Sequence, residues 1–216
     1  MDYFIKKSKV EPKPAAEFIQ NPLPDGKSSI TSCASIPREI RMAPADFDRV
    51  WKLHPNEFQE VMMFGNVVKT PRWSESFGES YHFSGMDHKA QPIEDPYLVT
   101  LLDWVRKHSG KEYNQILVNC YQDGNHYIGP HSDDENQLVP GSSIYSFSFG
   151  QKRDFVVTSK KGKVEPPFKQ SFPMGDNSLL IMEGDMQKNF KHQVPKRSVT
   201  NVPGPRINIT FRLFKK

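Results

Sequence analysis

The sequence predicts an α+β chain in which helices come first and an antiparallel β core of the sandwich or jelly-roll kind follows. Two observations carry that expectation. Apolar residues recur at three- and four-residue steps in two segments before Gly110, and beyond it the period falls to two in several short runs. Those runs are separated by Gly, Pro, Asn and Asp clusters with no helical stretch between them, which favours an antiparallel arrangement. At 216 residues the chain is long enough to bury about two-thirds of its unfolded surface.

Residues 1–42 mix Lys, Pro, Ser and small residues without a sustained period. That is the composition of a flexible tail, so one domain is expected over 43–216. In "APADFDRVWKL", Phe47, Val50, Trp51 and His54 keep helical spacing. A second helix is bounded at both ends: Asp95 caps it, Pro96 suits its first turn, Leu98, Leu101, Leu102 and Val105 form its stripe, and Gly110 follows. Both helices are expected to cover one sheet. In "QILVNCY", Ile116, Val118 and Cys120 face one side while Leu117, Asn119 and Tyr121 face the other. Further strands are expected in "SIYSFSFG", "RDFVVTS", "NSLLIME" and "RINITFRLF".

No apolar run approaches the roughly 18 residues of a membrane span, and "MDYFIKKSK" lacks the apolar stretch of a secretory signal. Two cysteines, Cys33 and Cys120, suggest no disulfide framework. A soluble, intracellular protein is expected, without a membrane partner. A net charge of +4 with a pI near 8.9 permits a polyanionic partner without demanding one.

His131 and Asp133 stand two apart in "YIGPHSDDENQ", so both can turn toward one point, and His192 in "NFKHQVPKR" can be folded back beside them. Two His and one carboxylate on one face of an octahedron suit a non-haem Fe(II) centre with open positions. The spacing H-x-D alone is common, and its plain alternative is a polar loop. "RINITFR" adds weight. Arg206, Asn208, Thr210 and Arg212 share one face of that strand while Ile207, Ile209, Phe211 and Leu213 share the other. Arginines turned toward a core need an anion, and a guanidinium matches a carboxylate in a bidentate way. With Asn119 and Tyr121 as polar neighbours, the set suits a dicarboxylic keto acid chelated at a metal.

The strings "NCYQDGNHYIGPHSDDE", "PGSSIYSFSFGQKRDFVV", "DNSLLIME", "KHQVPKR" and "RINITFR" together resemble the AlkB family of Fe(II)- and 2-oxoglutarate-dependent nucleic-acid dealkylases. "FGNVVKTPRWSESFGESYHFSG" is similar to its eukaryotic duplex-DNA-repair branch. The resemblance implies a double-stranded β-helix, with Fe(II), 2-oxoglutarate and O2 as cofactors. It implies that His131, Asp133 and His192 bind the metal and are catalytic. Asn119, Tyr121, Arg206, Asn208, Thr210 and Arg212 would hold 2-oxoglutarate, Arg206 at its distal carboxylate and Arg212 nearer the metal. The implied reaction converts 2-oxoglutarate to succinate and CO2 and hydroxylates an N-alkyl group, which leaves as an aldehyde.

For the substrate, the resemblance implies that Tyr81, Phe83 and Ser84 border a flipped base, with Asp134 and Glu135 near its exocyclic group. A carboxylate there would favour a cationic methylated base such as 1-methyladenine or 3-methylcytosine. Phe64 in "MMFGN" would be the wedge that fills the gap in the duplex. Phosphate contacts are expected from Arg72, Lys152, Arg153, Lys160, Lys161, Lys163, Lys196 and Arg197. Alternatives are an RNA demethylase or a protein hydroxylase on the same scaffold, or a non-catalytic nucleic-acid-binding module. "MDYFIKK" is similar to a sliding-clamp motif but departs from it at Asp2. The expected state is a monomer, nuclear if the source is eukaryotic.

Overall fold

The computed structural model describes residues 16–63, 65–83 and 86–215. The clamp-like heptapeptide, Phe64 and Ser84 lie outside them, and Tyr81 and Phe83 are described in backbone only. In chain order the elements begin with β1 (Ile19–Pro22), β2 (Ser28–Cys33), α1 (Pro44–Trp51), β3 (Glu60–Met63), β4 (Asn66–Lys69) and β5 (Trp73–Gly78). They continue with β6 (Tyr81–Phe83), β7 (Met86–His88), α2 (Pro96–Ser109), β8 (Gln115–Tyr121), β9 (Ile128–His131) and β10 (Ile144–Gly150). The last are β11 (Arg153–Ser159), β12 (Lys169–Met174), β13 (Ser178–Gly184), α3 (Met186–Asn189), β14 (Phe190–Val194) and β15 (Arg206–Arg212).

Seven strands form the larger sheet in the order β1-β2-β13-β10-β15-β8-β5, and four form the smaller in the order β12-β11-β14-β9. Neighbouring strands in both sheets run antiparallel. This is the jelly-roll core. Two hairpins, β3-β4 and β6-β7, complete the described strands.

Every residue of β8 and β15 is buried, because their sheet is covered on both faces. On one face Ile116, Val118, Cys120, Ile207, Ile209 and Phe211 share a core with Val50 of α1 and Leu98, Leu101, Leu102 and Val105 of α2. On the other, Tyr121, Ile30 and Leu180 meet Phe155, Val157 and Phe190 of the smaller sheet. The polar residues of β15 must therefore sit between two sheets, and only a lined cavity makes that tolerable.

α2 is bounded as its sequence predicts. Asp95 accepts from the backbone N–H of Tyr97 (2.9 Å) and Leu98 (3.2 Å), and Gly110 closes the helix in the left-handed region at φ 67°. Asp95 also accepts from Arg49 Nε at 2.8 Å, which ties α1 to α2. Asp95→Ala is expected to lower stability by about 1–2 kcal/mol, the usual cost of losing an N-cap, measured by urea unfolding. His54 falls beyond the end of α1, yet it stacks on Trp73 with ring centroids 4.3 Å apart.

The domain boundary needs correction. Residues 19–33 belong to the larger sheet, not to a tail: β2 pairs with β13 from Ser28↔Gly184 to Cys33↔Leu179. Ile30, Cys33, Ile36 and Ile40 are buried in the cores. Apolar residues are sparse here; Phe18 and Ile19 stay exposed while Leu23 and Met42 are buried with the others, and β2 is stabilised by a partner strand far along the chain.

Candidate active site

Two strands of the smaller sheet bring the imidazoles together. β14 pairs antiparallel with β9, and the register sets His192 opposite His131, with ring centroids 4.2 Å apart. Asp133 follows the end of β9. Its Oδ1 lies 3.7 Å from His131 Nε2 and its Oδ2 lies 3.9 Å from His192 Nε2. One ligating atom from each residue falls within 4.8 Å of the others, close enough to share one ion.

Protonation states agree with that use. His131 Nδ1 lies 2.9 Å from the Gly129 carbonyl, so that nitrogen carries the proton and Nε2 offers its lone pair to the site. Burial pushes His131 below the ordinary imidazole value and His192 down to about 3, with neighbouring His131 adding to the latter shift. Burial opposes ionisation of Asp133, but Arg212, His192 and His131 outweigh it and hold the carboxyl at about 2. Two neutral imidazoles and one carboxylate are the forms that bind a metal.

Arg212 supports this centre. Its Nη2 donates to Asp133 Oδ1 at 2.9 Å and its Nη1 lies 3.3 Å from Glu135 Oε1. Glu135 is buried, and burial raises its pKa against the pull of Arg212. Alternation past β9 sends residues 131, 133 and 135 inward. Asp134 points away: its side chain is 66% exposed, with Lys160 Nζ at 3.8 Å. The expected pair of acidic residues is thus divided, with Glu135 alone lining the cavity.

At the other end of the same cavity stands Arg206, 2% exposed. Nη2 donates to Ser148 Oγ at 2.8 Å, and the guanidinium lies 5.0 Å from the centroid of the Tyr121 ring. Nε and Nη1 have no hydrogen-bond partner among the described residues. Asn208 Nδ2 donates to Ser146 Oγ (2.8 Å) and the Phe147 carbonyl (2.7 Å), while Thr210 donates to Asn208 Oδ1 (3.2 Å). Opposite, on β8, Asn119 Oδ1 accepts from Arg72 Nε (2.8 Å) and Ser74 Oγ (2.9 Å).

Two cations expected at phosphate are in fact interior. Arg72 is 8% exposed and bonded to Asn119, so it lines the cavity. Arg153 is 3% exposed and bonded to backbone carbonyls. Both stand at a sheet edge or strand start, where sequence alone gives no sign of burial. Sequence reasoning also missed Ser146 and Ser148, which hold Asn208 and Arg206, and Gln187, whose Oε1 accepts from the Asp133 N–H at 2.9 Å. The serines carried a signal: they alternate with aromatics in "YSFSF", on the face opposite the core.

The donor set fits a ferrous ion with open positions, and the buried, underused guanidinium fits one carboxylate of a dicarboxylic acid. Comparison with known proteins agrees. The profile of the 2OG-Fe(II) oxygenase superfamily matches residues 47–212. Human DNA oxidative demethylase ALKBH2 is 36% identical over 159 residues, 70% of this chain and 60% of that protein. The Arabidopsis thaliana protein of the same name is 37% identical over 192 residues, 77% and 60% of the two chains. Bovine alpha-ketoglutarate-dependent dioxygenase alkB homolog 3 is 29% identical over 195 residues, 88% of this chain and 67% of that protein. The chain thus spans about 60% of the length of these ALKBH2 relatives. The solved structure of OsALKBH1 superposes with a TM-score of 0.55 at 15% identity, over 85% of this chain and 97% of that one, a likeness of fold. Among the described residues no helix is long and apolar enough to cross a membrane. The chain belongs to the 2OG-Fe(II) oxygenase superfamily and, within it, to the AlkB family, with Fe(II), 2-oxoglutarate and dioxygen as its cofactors.

Proposed function

We propose that the protein is an oxidative demethylase that removes N-alkyl groups from bases such as 1-methyladenine and 3-methylcytosine in DNA, releasing aldehyde, succinate and CO2. The observation that carries the cofactor half of this reading is Arg206. Its guanidinium is buried with two nitrogens unpartnered among the described residues, in the cavity that the His131-Asp133-His192 triad also lines. The substrate half rests on relatives named as DNA oxidative demethylases at 36–37% identity.

In this reading His131, Asp133 and His192 hold the iron. Arg206 and Tyr121 take the distal carboxylate of 2-oxoglutarate, while Asn119, Asn208 and Thr210 line its length. With dioxygen as the oxidant, bound iron and 2-oxoglutarate would supply the power to hydroxylate an N-alkyl carbon, chemistry that no side chain of the chain can supply. Arg212 fixes the orientation of Asp133 and keeps Glu135 beside the centre. Phe155, stacked on His192 with centroids 5.1 Å apart, and Val194 keep that wall of the cavity apolar and limit water.

Glu135 Oε2 has no partner among the described residues, which leaves an acceptor for an exocyclic amine of the base. Tyr81, Phe83 and Ser84 border the flipped base, Arg72 lines the wall beside Asn119, and Phe64 fills the gap in the duplex. Asp134, on the surface, acts only on the strand outside. The test is incubation with Fe(II), 2-oxoglutarate and methylated single- and double-stranded oligonucleotides. Demethylated base should appear together with succinate. Absence of turnover on every oligonucleotide, with iron bound normally, would remove the nucleic-acid reading. Phe64→Ala should lower duplex repair at least about tenfold while sparing single strands; equal duplex repair would remove the wedge.

A further inference from the structure

A buried arginine without a carboxylate needs a dense set of neutral acceptors. Arg153, the first residue of β11, meets most of that need with backbone carbonyls, although its Nε has no hydrogen-bond partner among the described residues. Nη1 donates to the Asp123 carbonyl (3.1 Å), and Nη2 donates to those of His126 (3.0 Å) and Pro195 (2.8 Å). These carbonyls belong to two segments. Asp123 and His126 lie in the link from β8, which ends at Tyr121, to β9, which carries His131; Pro195 follows β14, which carries His192. One guanidinium thus joins the segments that flank both imidazoles.

It also faces the cosubstrate end. Arg153 Cζ lies 5.7 Å from the centroid of the Tyr121 ring, and Arg206 Cζ lies 5.0 Å from the same centroid. Two guanidinium groups sharing one aromatic ring gain from its quadrupole but repel one another in a poorly solvated interior. Burial disfavours the charged form of Arg206; Tyr121 offsets part of that, and Arg153 adds to the cost. An anion placed at Arg206 relieves both costs together.

We propose that Arg153 is a positioning residue for the distal carboxylate of the keto acid: it fixes the Tyr121 ring and adds a second positive charge beside Arg206. The inference rests on the reading of Arg206 as the partner of that carboxylate. Arg153 touches no ligand atom. It acts through Tyr121 and Arg206.

The test compares 2-oxoglutarate with 2-oxobutyrate, which keeps the keto-acid end and lacks the distal carboxylate. Affinities are measured calorimetrically on Mn(II)-loaded wild type, Arg153→Met, Arg153→Lys and Arg206→Met. Wild type should prefer 2-oxoglutarate. Arg153→Met should narrow that preference roughly tenfold, the effect of about one neighbouring charge, and Arg153→Lys should keep most of it because the charge remains. A merely structural arginine would weaken both acids equally, and that result would overturn the proposal. So would an unchanged ratio in Arg153→Met, or a loss in Arg153→Lys as large as in Arg153→Met. Failure of the underlying reading looks different: Arg206→Met would then retain the wild-type preference, or wild type would show none.

Discussion

Arg206→Met is expected to weaken 2-oxoglutarate by about a hundredfold or more while leaving the ligand-free protein as stable as before, or more stable. The two halves come from the same physics. In the absence of an anion, Arg206 is 2% exposed with one donor on Ser148 and two nitrogens unpartnered among the described residues. Such a group costs stability, because a buried charge without an anion carries an uncompensated desolvation penalty, so an apolar side chain of similar volume should be neutral or stabilising there. With the keto acid bound, the same guanidinium gains a carboxylate in a water-poor cavity, where a bidentate pair is strong. Thermal unfolding with and without 2-oxoglutarate separates the halves. The variant should match or exceed wild type alone and should lose the upward shift that 2-oxoglutarate gives to wild type. A destabilised variant that still responds to 2-oxoglutarate would make Arg206 a structural residue. Arg206→Lys should recover only part of the binding, because an ammonium keeps the charge but not the planar fork.

What could be read from the sequence was whatever is written locally. The alternation in 206–212 set the arginines on the face opposite Ile207, Ile209 and Phe211, and the structure places those three in the core shared with α2. Asp95 and Gly110 bound α2 because capping depends on neighbours within one turn. The triad needed two separate facts, a pair two residues apart and a distal histidine, and only the antiparallel register of β9 and β14 joins them. What was not legible depends on distant partners. β2 is held by β13, whose strand is built from the other end of the chain. Arg72 and Arg153 look like surface cations in sequence, and only their acceptors, Asn119 and three backbone carbonyls, reveal them as interior. Asp134 and Glu135 are adjacent and chemically alike, so composition cannot separate them; the alternation continuing past His131 does, and it sends Glu135 to Arg212.

Asp133→Asn is expected to abolish turnover and to weaken metal binding by more than about a hundredfold, beyond the roughly 10–100-fold that changes around a ligand usually cost. The amide has the size and shape of the carboxylate, and its oxygen can still accept from Arg212 Nη2, so the bond now at 2.9 Å need not be lost. What disappears is the negative charge, which holds two opposing roles together. It balances Arg212, buried at 4% side-chain exposure, and it is the only anionic donor of the triad. The ligand-free variant should therefore fold but lose about 1–3 kcal/mol, the range for weakening a buried charged hydrogen bond, with Glu135 left as the nearby counter-charge for Arg212. The pH dependence has a definite sign. Asp133 titrates near 2 in the fold against an ordinary 3.8, so its contribution to stability is present above about pH 4 and is lost as pH falls toward 2. Protonation of the buried His192 and His131 costs stability over the same range in both proteins, so the Asp133 contribution is read as the difference between wild type and Asp133→Asn, which should shrink as pH falls from 5 to 2 in denaturant unfolding. Metal titration by calorimetry decides the functional role. Should Asp133→Asn bind Mn(II) as wild type does, the carboxylate serves to hold Arg212 and the metal must be bound elsewhere; should it fold, lose the metal and keep its bond to Arg212, the two roles of Asp133 separate cleanly into charge for the ion and geometry for the guanidinium.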